Sequence, residues 1–423
     1  MSDAANIRAS KSSADIGGGK PAVLVPHSGH SDWLDANTLR TLTVTDILAR
    51  IDAIKDLIGA SAGEAERLRH PVDEVWSAIR KTGMFYLYVP RKFGGLEVND
   101  FQAFIDIVLP IAEQCTSTAW CAAFSIHHQW VLNQFPEKFQ AEMWNKLPYY
   151  TSAGSGFPPG KAVKVEGGYR ITGHWKWGSG IVHAEWVNSI VLAESDDGEK
   201  LPYFAYVPIE QVTVLDTWYV DGMCGTGSHD YQINNVFVPD HRILNFNLLS
   251  KGQLHHENPF YRIPGAPVLA LVAAVPALGA ARAAVKRFRD RVATGSPGGT
   301  PSDNALFHAC LGRAEMEVTT AESVIRDATD QLQTIGGRAK YMSAEDRIRV
   351  RTMLAYSVDL CRSAARSIND HGGSSAHYLS SPAQRYLRDI TVIATHAIFD
   401  TSSALALHGR VQAGLPPNSD WFK

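Results

Sequence analysis

The sequence predicts a mainly α-helical fold with a central β domain, and three blocks of the chain carry this prediction. Residues 43–150 and 248–423 repeat apolar side chains at the three- and four-residue spacing of amphipathic helices. Between them, residues 151–247 hold short alternating apolar runs broken by Gly and Pro, a pattern typical of strands and turns. We therefore expect a helical domain, a β domain and a C-terminal helical bundle, preceded by a flexible tail and lead-in over residues 1–42.

In the N-terminal block, apolar residues between Val72 and Ile79 recur at helical spacing, and Gly83 follows as a helix end. Two further helices are expected over residues 101–114 and 119–135. These three segments indicate a helical domain that precedes the first strand.

The central block begins with a hairpin signal. Apolar residues alternate on both sides of Glu166-Gly167-Gly168, which predicts two antiparallel strands and a tight turn. Further strands are expected in apolar runs at residues 187–192, 203–207, 212–215 and 231–238. The Gly- and Pro-rich segment 151–160 is expected to be a loop that opens the block.

The C-terminal block returns to helix. A long apolar stretch from about Pro267 predicts one helix, which ends near Arg291. Residues 318–335 and 353–368 keep helical spacing and predict two more, the second of which ends at Gly372-Gly373.

The bulk composition excludes several classes of function. The chain has 423 residues, is 20% charged and carries a net charge of −3, so no nucleic-acid or anionic-membrane partner is implied. Its five cysteines are scattered without a C-x-x-C pair, which favours a reducing cytoplasm. Residues 1–19 lack the apolar core of a signal peptide, and the apolar stretch 266–281 contains prolines and a glycine, which favours a buried helix over a membrane span.

Some familiar binding motifs are absent from the sequence. There is no P-loop and no G-x-G-x-x-G after a strand, so a pyridine nucleotide that supplied electrons would be bound by another protein. The pairs His127-His128 and His255-His256 are adjacent and poorly placed to share one ion. We therefore expect no metal site.

Three motifs near the C-terminus resemble the signature of a known enzyme family. His371-Gly-Gly-Ser-Ser, the run Ser381 to Asp389, and His396-Ala397 resemble the C-terminal signature of the acyl-CoA dehydrogenase superfamily. In a typical dehydrogenase, a Glu at the position of Ala397 removes the α-proton of the substrate, and alanine cannot accept a proton. The chain therefore resembles the branch of two-component flavin-dependent monooxygenases, which includes the oxygenase component of p-hydroxyphenylacetate hydroxylase and a hydroxylase of a phenolic secosteroid.

The resemblance extends over roughly residues 45–420 and implies both fold and function. The fold would be acyl-CoA dehydrogenase-like, with an N-terminal helical domain, a β-barrel or sandwich, and a C-terminal four-helix bundle. The function would be that of an oxygenase component that takes reduced FMN or FAD, supplied by diffusion from an NAD(P)H:flavin reductase. Reaction with O2 would give a C4a-hydroperoxyflavin that hydroxylates a phenolic or indole-like ring. Because the flavin site in this superfamily spans subunits, a homotetramer is expected.

The resemblance also assigns residues to the flavin. The segment Trp175-Lys-Trp-Gly-Ser-Gly matches an oxygenase element whose Ser, here Ser179, lies near flavin N5 and slows the loss of hydrogen peroxide. Flavin contacts are expected from Trp120, Ser155, Ser179, Arg291, Gly373, Ser374 and Ser375. Without the resemblance, these residues are also compatible with a core Trp, an ordinary Gly/Pro loop, and an Arg that compensates a helix dipole.

Two histidines are candidates for the substrate. An ordinary histidine titrates near ~6.5, so His396 could take a proton from a phenol or a pyrrole N–H and is a catalytic candidate with Ser179. His128 follows Trp120 by eight residues, about 80° around a helix, so both could line one pocket. Aromatic walls for a flat ligand are expected from Trp177, Trp218 and Phe157. Capped or core histidines are the structural alternative.

Other functions remain open at this point. An acyl-CoA dehydrogenase or oxidase could take its base from another helix, and it would then hold flavin tightly without a reductase. An N-hydroxylase or S-oxygenase could use the same flavin chemistry, with His396 only positioning the substrate. A flavin-binding or purely structural helical assembly would tolerate loss of the His and Ser positions.

Overall fold

The computed structural model describes residues 21–27, 31–194, 198–295, 301–336 and 342–419. The expected tail over residues 1–19 lies outside the described residues. The helices are α1 (Ala36–Thr41), α2 (Val44–Leu68), α3 (Asp73–Arg80), α4 (Phe101–Gln114), α5 (Thr116–Leu132), α6 (Glu137–Trp144), α7 (Phe246–Lys251), α8 (Gly265–Thr294), α9 (Ala305–Gly336), α10 (Ala344–Asp370), α11 (Pro382–Ala394) and α12 (Thr401–Gln412). The strands are β1 (Val23–Leu24), β2 (Ser152–Val165), β3 (Gly168–Gly178), β4 (Trp186–Glu194), β5 (Lys200–Pro208), β6 (Thr213–Leu215), β7 (His229–Pro239) and β8 (Ile243–Asn245).

The predicted fold class is confirmed, since helices α1–α6 precede the main sheet and helices α7–α12 follow it. The helix predicted over residues 101–114 has those bounds. The next helix begins at Thr116, three residues before the predicted start, because Cys115 already has extended backbone and acts as its N-cap.

The sheet has eight strands in the order β1-β6-β7-β3-β2-β4-β5-β8. The predicted hairpin is confirmed, because Val165 pairs with Gly168 across a turn in which Gly167 has φ +73°. Segment 151–160, expected as a loop, is mostly strand. Its first residues pair in parallel with β4, and the register shifts between Ser155 and Gly160, which accommodates the Gly- and Pro-rich part.

Part of the lead-in expected to be flexible lies along the sheet. Strand β1 pairs with β6, and the carbonyl of Ala22 accepts a hydrogen bond of 2.8 Å from the Asp216 N–H. Further on, the His27 N–H donates to the Val182 carbonyl at 2.6 Å. These backbone bonds hold residues 21–27 against elements that lie more than 150 residues away in sequence.

Helix α8 forms the centre of the helical core. It is long and apolar enough to span a membrane by length and composition, but 89% of its most apolar stretch is buried inside the protein. It packs against α4, α5, α9, α10 and α11. A Cβ on Gly279 would lie 2.3 Å from the Cβ of Ala112, so this glycine permits the close approach of α8 to α4. The apolar character of α8 is therefore that of a core helix.

Candidate active site

Aromatic side chains of helix α5 connect the two histidines that are expected to contact the substrate, His128 and His396. Of the 17 residues of α5, only Phe124 is not buried. The ring of Phe124 lies 4.9 Å from that of Trp120 and 6.0 Å from that of His128. The ring of His396, just beyond α11, lies 6.2 Å from that of Trp120. The two histidines expected at the substrate are thus linked by a row of aromatic side chains.

Ser179, at the end of β3, belongs to a chain of hydroxyl groups. Its Oγ accepts a hydrogen bond of 3.1 Å from the Trp120 Nε1–H and lies 2.7 Å from the Oγ of Ser228. The Oγ of Ser228 lies 2.7 Å from Oγ1 of Thr226, and that hydroxyl donates to the carbonyl of Met223 at 2.8 Å. The chain therefore ends at a group that can only accept.

This end point fixes the direction of every hydroxyl in the chain, because each hydroxyl has one proton. Thr226 gives its proton to Met223, so Ser228 must donate to Thr226 and Ser179 must donate to Ser228. One lone pair of Ser179 is used by Trp120, and no other described residue donates to the second. Ser179 is therefore set up to accept one more hydrogen bond.

Helix α11 holds the turn at Met223, where the chain of hydroxyl groups ends. The Asp389 carboxylate accepts a hydrogen bond of 2.6 Å from the Met223 N–H. Burial raises the pKa of Asp389 to about 6, against the opposing effect of the bond to Met223. The run that ends in Thr226-Gly-Ser228 is thereby tied to the helix that leads to His396.

His128 presents a hydrogen-bond acceptor. Its Nδ1 lies 2.9 Å from the carbonyl of Ser152 and 2.7 Å from the Ser152 Oγ. We assign the proton to Nδ1, because the carbonyl can only accept whereas the hydroxyl can also accept, and Nε2 then has a lone pair. Burial lowers the pKa of His128 to about 4, which keeps the ring neutral at pH 7. A Cβ on Gly154 would lie 3.3 Å from this Nε2 and 2.2 Å from Oδ1 of Asn188, so only glycine leaves this space open.

His396 presents a hydrogen-bond donor, the opposite of His128. It lies beyond the end of α11, not inside a helix, and its Nδ1 accepts a hydrogen bond of 3.2 Å from the Ile398 N–H. The neutral ring therefore carries its proton on Nε2. Arg351 of α10 holds this turn through bonds to the carbonyls of Ala397 and Ile398 at 3.2 and 3.0 Å.

The surroundings of His396 lower the pKa of its ring. His396 is an exposed residue, and desolvation by the protein atoms around its ring lowers the pKa of His396 to about 4. The sequence led us to expect a value near ~6.5. At neutral pH the ring is uncharged and acts as a donor through Nε2.

The expected aromatic walls differ in exposure. Trp177 is 53% exposed with φ +64°, and Phe157 is 46% exposed. Trp218 is buried, and its Nε1–H donates to the Met223 carbonyl at 3.1 Å, so it supports the anchoring turn. Ser155, expected at the flavin, donates its hydroxyl proton to the carbonyl of Lys176 at 2.5 Å and so joins β2 to β3.

The remaining expected flavin residues form a second group, at the end of the helical bundle. The Arg291 guanidinium donates to the carbonyl of Gly372 at 2.6 Å, and the Ser375 hydroxyl donates to the same oxygen at 3.3 Å. Gly373 has φ +63°, and Ser374 opens the short helical turn that follows. The structure thus brings Arg291 together with Gly373, Ser374 and Ser375.

Sequence reasoning missed several residues of the site. Phe124 stands four residues after Trp120 and four before His128, so helical spacing alone could have placed it between them. Ser152 and Asn188 had no such signal, because they meet only through the parallel pairing of β2 with β4.

Comparison with known proteins agrees with this architecture. The family described as acyl-CoA dehydrogenase, C-terminal domain, matches residues 271–401. The chain is 35% identical to a pigment production hydroxylase of Rhodococcus sp. (strain ATCC 21145), over 89% of this chain and 98% of that one. It is 30% identical to the oxygenase component of the FADH(2)-dependent resorcinol hydroxylase of Rhizobium sp. (strain MTP-10005), over 89% and 96%. The solved structure of XiaF from Streptomyces sp. in complex with FADH2 and glycerol superposes with a TM-score of 0.82 at 26% identity, over 89% and 97%.

Proposed function

This chain belongs to the oxygenase components of two-component flavin-dependent monooxygenases with the acyl-CoA dehydrogenase fold, and from this we propose how its own residues serve the reaction. It is a flavin-dependent monooxygenase of aromatic substrates, and a separate reductase component supplies its reduced flavin. The hydrogen-bond polarity of Ser179, His128 and His396 supports the roles proposed for these three residues.

We place the flavin ring beside Ser179. Reduced flavin, when bound, activates O2 and supplies the oxygen atom that is transferred. The residues fit this group, since Ser179 has a lone pair for one more N–H donor and Trp177 offers an exposed indole for a flat ring. Trp120 acts through Ser179, whose hydroxyl it positions.

The hydroxyl chain gives Ser179 a specific task. Because its proton is directed to Ser228, Ser179 accepts from the flavin and does not donate to it. Premature release of hydrogen peroxide requires a proton at the reacting oxygens, so a serine whose proton is held elsewhere protects the coupling of O2 to product. The proposed role of Ser179 therefore depends on Ser228 and Thr226.

The single observation that carries the substrate proposal is the opposite polarity of the two histidines. The lone pair of His128 Nε2 accepts the proton of a ring hydroxyl, and the His396 Nε2–H donates to the oxygen of that group. Drawing the proton toward His128 makes the ring richer in electrons and readier to take up oxygen. His396, expected from the sequence to be the base, instead stabilises negative charge on the oxygen.

We propose a phenol as substrate and reduced FAD as the flavin. A phenolic oxygen satisfies both histidines, whereas the N–H of an indole leaves the His396 donor without an acceptor. FADH2 appears in the names of the resorcinol hydroxylase and of the XiaF complex, which favours FAD over FMN. The dehydrogenase alternative is disfavoured, because Ala397 offers no base.

We further propose a homotetramer in the cytoplasm. The group formed by Arg291, Gly373, Ser374 and Ser375 would hold the flavin tail of a neighbouring subunit, for which the guanidinium and hydroxyl groups are suited. All five cysteines are free, which accords with a reducing compartment.

The test is rapid mixing of the purified protein with reduced FAD or reduced FMN without oxygen, followed by addition of O2. We expect a transient absorbance distinct from both oxidised and reduced flavin, longer-lived with FAD, and product formed from simple phenols. Prompt return to oxidised flavin at the rate of free flavin would overturn the proposal and direct attention to acyl-CoA substrates. A transient that yields product only from indoles would overturn the phenol assignment alone.

A further inference from the structure

A cluster of potential metal ligands lies outside the site described above. His27 Nδ1 lies 3.1 Å from Oδ1 of Asp73, and His183 Nε2 lies 2.8 Å from the same oxygen. The three donor atoms lie within 4.8 Å of one another. They come from the lead-in, from the first residue of α3 and from the turn between β3 and β4. His27 and His183 lie 46 and 110 residues away from Asp73 in the sequence. Such separations leave no metal-ligand spacing to find, and for that reason the sequence led us to expect no metal site.

The distances suit one ion. Ligand atoms about 2.1 Å from a tetrahedral metal are about 3.4 Å apart. The separations of 2.8 and 3.1 Å and the upper bound of 4.8 Å bracket that value. Small rotations of the exposed His27 and Asp73 side chains would bring the three atoms to it.

The chemical types of the three donor groups suit a divalent cation as well. Burial works against ionisation of Asp73, but hydrogen bonds from His183 and His27 hold the pKa of Asp73 below its ordinary value. The set thus offers two imidazole nitrogens and one carboxylate oxygen.

The surroundings leave room for further ligands. A cavity of about 220 Å³ is lined by His27, Asp32, Asp73, Trp76, Ser77 and His183. The Nε1–H of Trp76 is buried and has no hydrogen-bond partner among the described residues, so it is available to a metal-bound water. The two basic residues nearby already have acidic partners. Arg80 pairs with the Glu185 carboxylate at 2.8 Å, and the Lys81 Nζ lies 3.5 Å from Oδ1 of Asp32. Neither of them neutralises the negative charge of Asp73.

We propose that His27, Asp73 and His183 bind one divalent transition-metal ion, with Zn²⁺ as the preferred occupant and water or Asp32 completing the coordination. Two imidazoles and a carboxylate are a common zinc ligand set. The ion would pin the lead-in, which is also held by the two-residue strand β1 and by the bond from the His27 N–H to the Val182 carbonyl, to α3 and to the turn that follows Ser179. This site is independent of the flavin chemistry.

The test is calorimetric titration of Zn²⁺ into full-length, untagged protein that has been stripped with a chelator. We expect saturation at one Zn²⁺ per chain, and a binding constant weakened by more than about tenfold in His27→Ala and in Asp73→Asn. The control is His174→Ala, which breaks a single His–Asp pair of 3.0 Å between His174 and Asp230 and should bind Zn²⁺ like the unaltered protein. Absence of saturable binding, or equal binding by His27→Ala and Asp73→Asn, would overturn the proposal.

A second measurement guards against misfolded variants. Zn²⁺ at about 100 times the dissociation constant of the unaltered protein should raise the Tm of that protein by roughly 3 °C, and it should raise the Tm of His27→Ala by about half of that or less. His27 is exposed, so this variant should unfold near the Tm of the unaltered protein when no metal is present. A Zn²⁺-dependent rise of the same size in both proteins would refute the assignment.

Discussion

At the scale of the residue, the direction of a hydrogen bond decides function more than its presence. Ser179, through its chain of hydroxyl groups, and His128 and His396, directly, are each hydrogen-bonded to a backbone group that can only donate or only accept. The backbone therefore favours one polarity of each group toward a ligand. A substitution that reverses one of these bonds should alter chemistry with little effect on folding.

Ser228→Ala is such a substitution. It removes the acceptor for the Ser179 proton, which can then turn toward the flavin and assist peroxide release. Loss of one hydrogen bond of about 1 kcal/mol corresponds to about a fivefold change in rate, so hydrogen peroxide per product should rise by about that factor. Peroxide and hydroxylated product measured in one assay give the ratio.

The matched control for this prediction is Ser250→Ala. Ser250 is also buried and donates to a carbonyl, that of Asn247, but it lies on α7. Its coupling ratio should equal that of the unaltered protein. If Ser228→Ala also remained fully coupled, the direction assigned to the hydroxyl chain would be wrong.

The two histidines predict an unusual pH profile. Burial lowers the pKa of His128 to about 4, and desolvation does the same for His396. Protonation removes the acceptor of His128 only when the pH falls through that value. The rate of hydroxylation of bound substrate should therefore be flat from pH 8 to about pH 6 and fall with an acid limb near 4.

Single-turnover rates after a pH jump would measure this limb before the protein unfolds. His128→Phe should lower the hydroxylation rate by about 100-fold or more, with the reaction of flavin and O2 retained. His174→Ala, at an exposed histidine, should keep the original profile. A limb near ~6.5 would contradict the burial argument.

At the scale of the element, the site depends on close approach between α5 and the strands β2 and β4. A Cβ on Gly154 would lie 2.2 Å from Oδ1 of Asn188 and 3.3 Å from Nε2 of His128. Gly154→Ala should therefore displace His128 and raise the substrate KM, with a smaller effect on Tm. Substrate binding monitored by fluorescence, together with a thermal melt, would separate the two effects.

Gly312→Ala is the control for that variant. Gly312 lies within α9, and a Cβ there would meet nothing within 4 Å. Alanine in a helix interior is favoured over glycine by about 1 kcal/mol, so this variant should be slightly more stable and bind substrate normally. Unchanged substrate binding in Gly154→Ala would show that His128 does not border the ligand.

The elements themselves were largely predictable, because apolar periodicity reports which face is buried. The helix over residues 101–114 and the hairpin at Gly167 follow directly from it. What failed was non-local pairing. Glycines and prolines in segment 151–160 imitate a loop, and β1 becomes a strand only because β6 offers an edge. For the same reason, motifs identified Ser179 and His396 as candidates, but their hydrogen-bond polarity depends on contacts that no spacing reveals.

At the scale of the whole molecule, burying the site among three structural blocks has an energetic cost. Helix α5 lies between the sheet and α8 and carries His127 and His128 into the interior. Burial lowers the pKa of both rings, and neither nitrogen of His127 has a hydrogen-bond partner among the described residues.

This predicts how stability depends on pH. A histidine of ordinary pKa ~6.5 in the unfolded chain that falls to about 4 in the folded state binds fewer protons when folded, so stability should decrease as pH drops between these values. For His128 alone the loss is on the order of 3 kcal/mol. His127→Phe keeps the stacking on Trp130, whose ring lies 5.8 Å away, and removes one such group. Denaturant melts at pH 7.5 and 5, with a chelator present, should show a smaller loss of stability in His127→Phe than in the unaltered protein, whereas an equal loss would mean that His127 is hydrated and titrates normally.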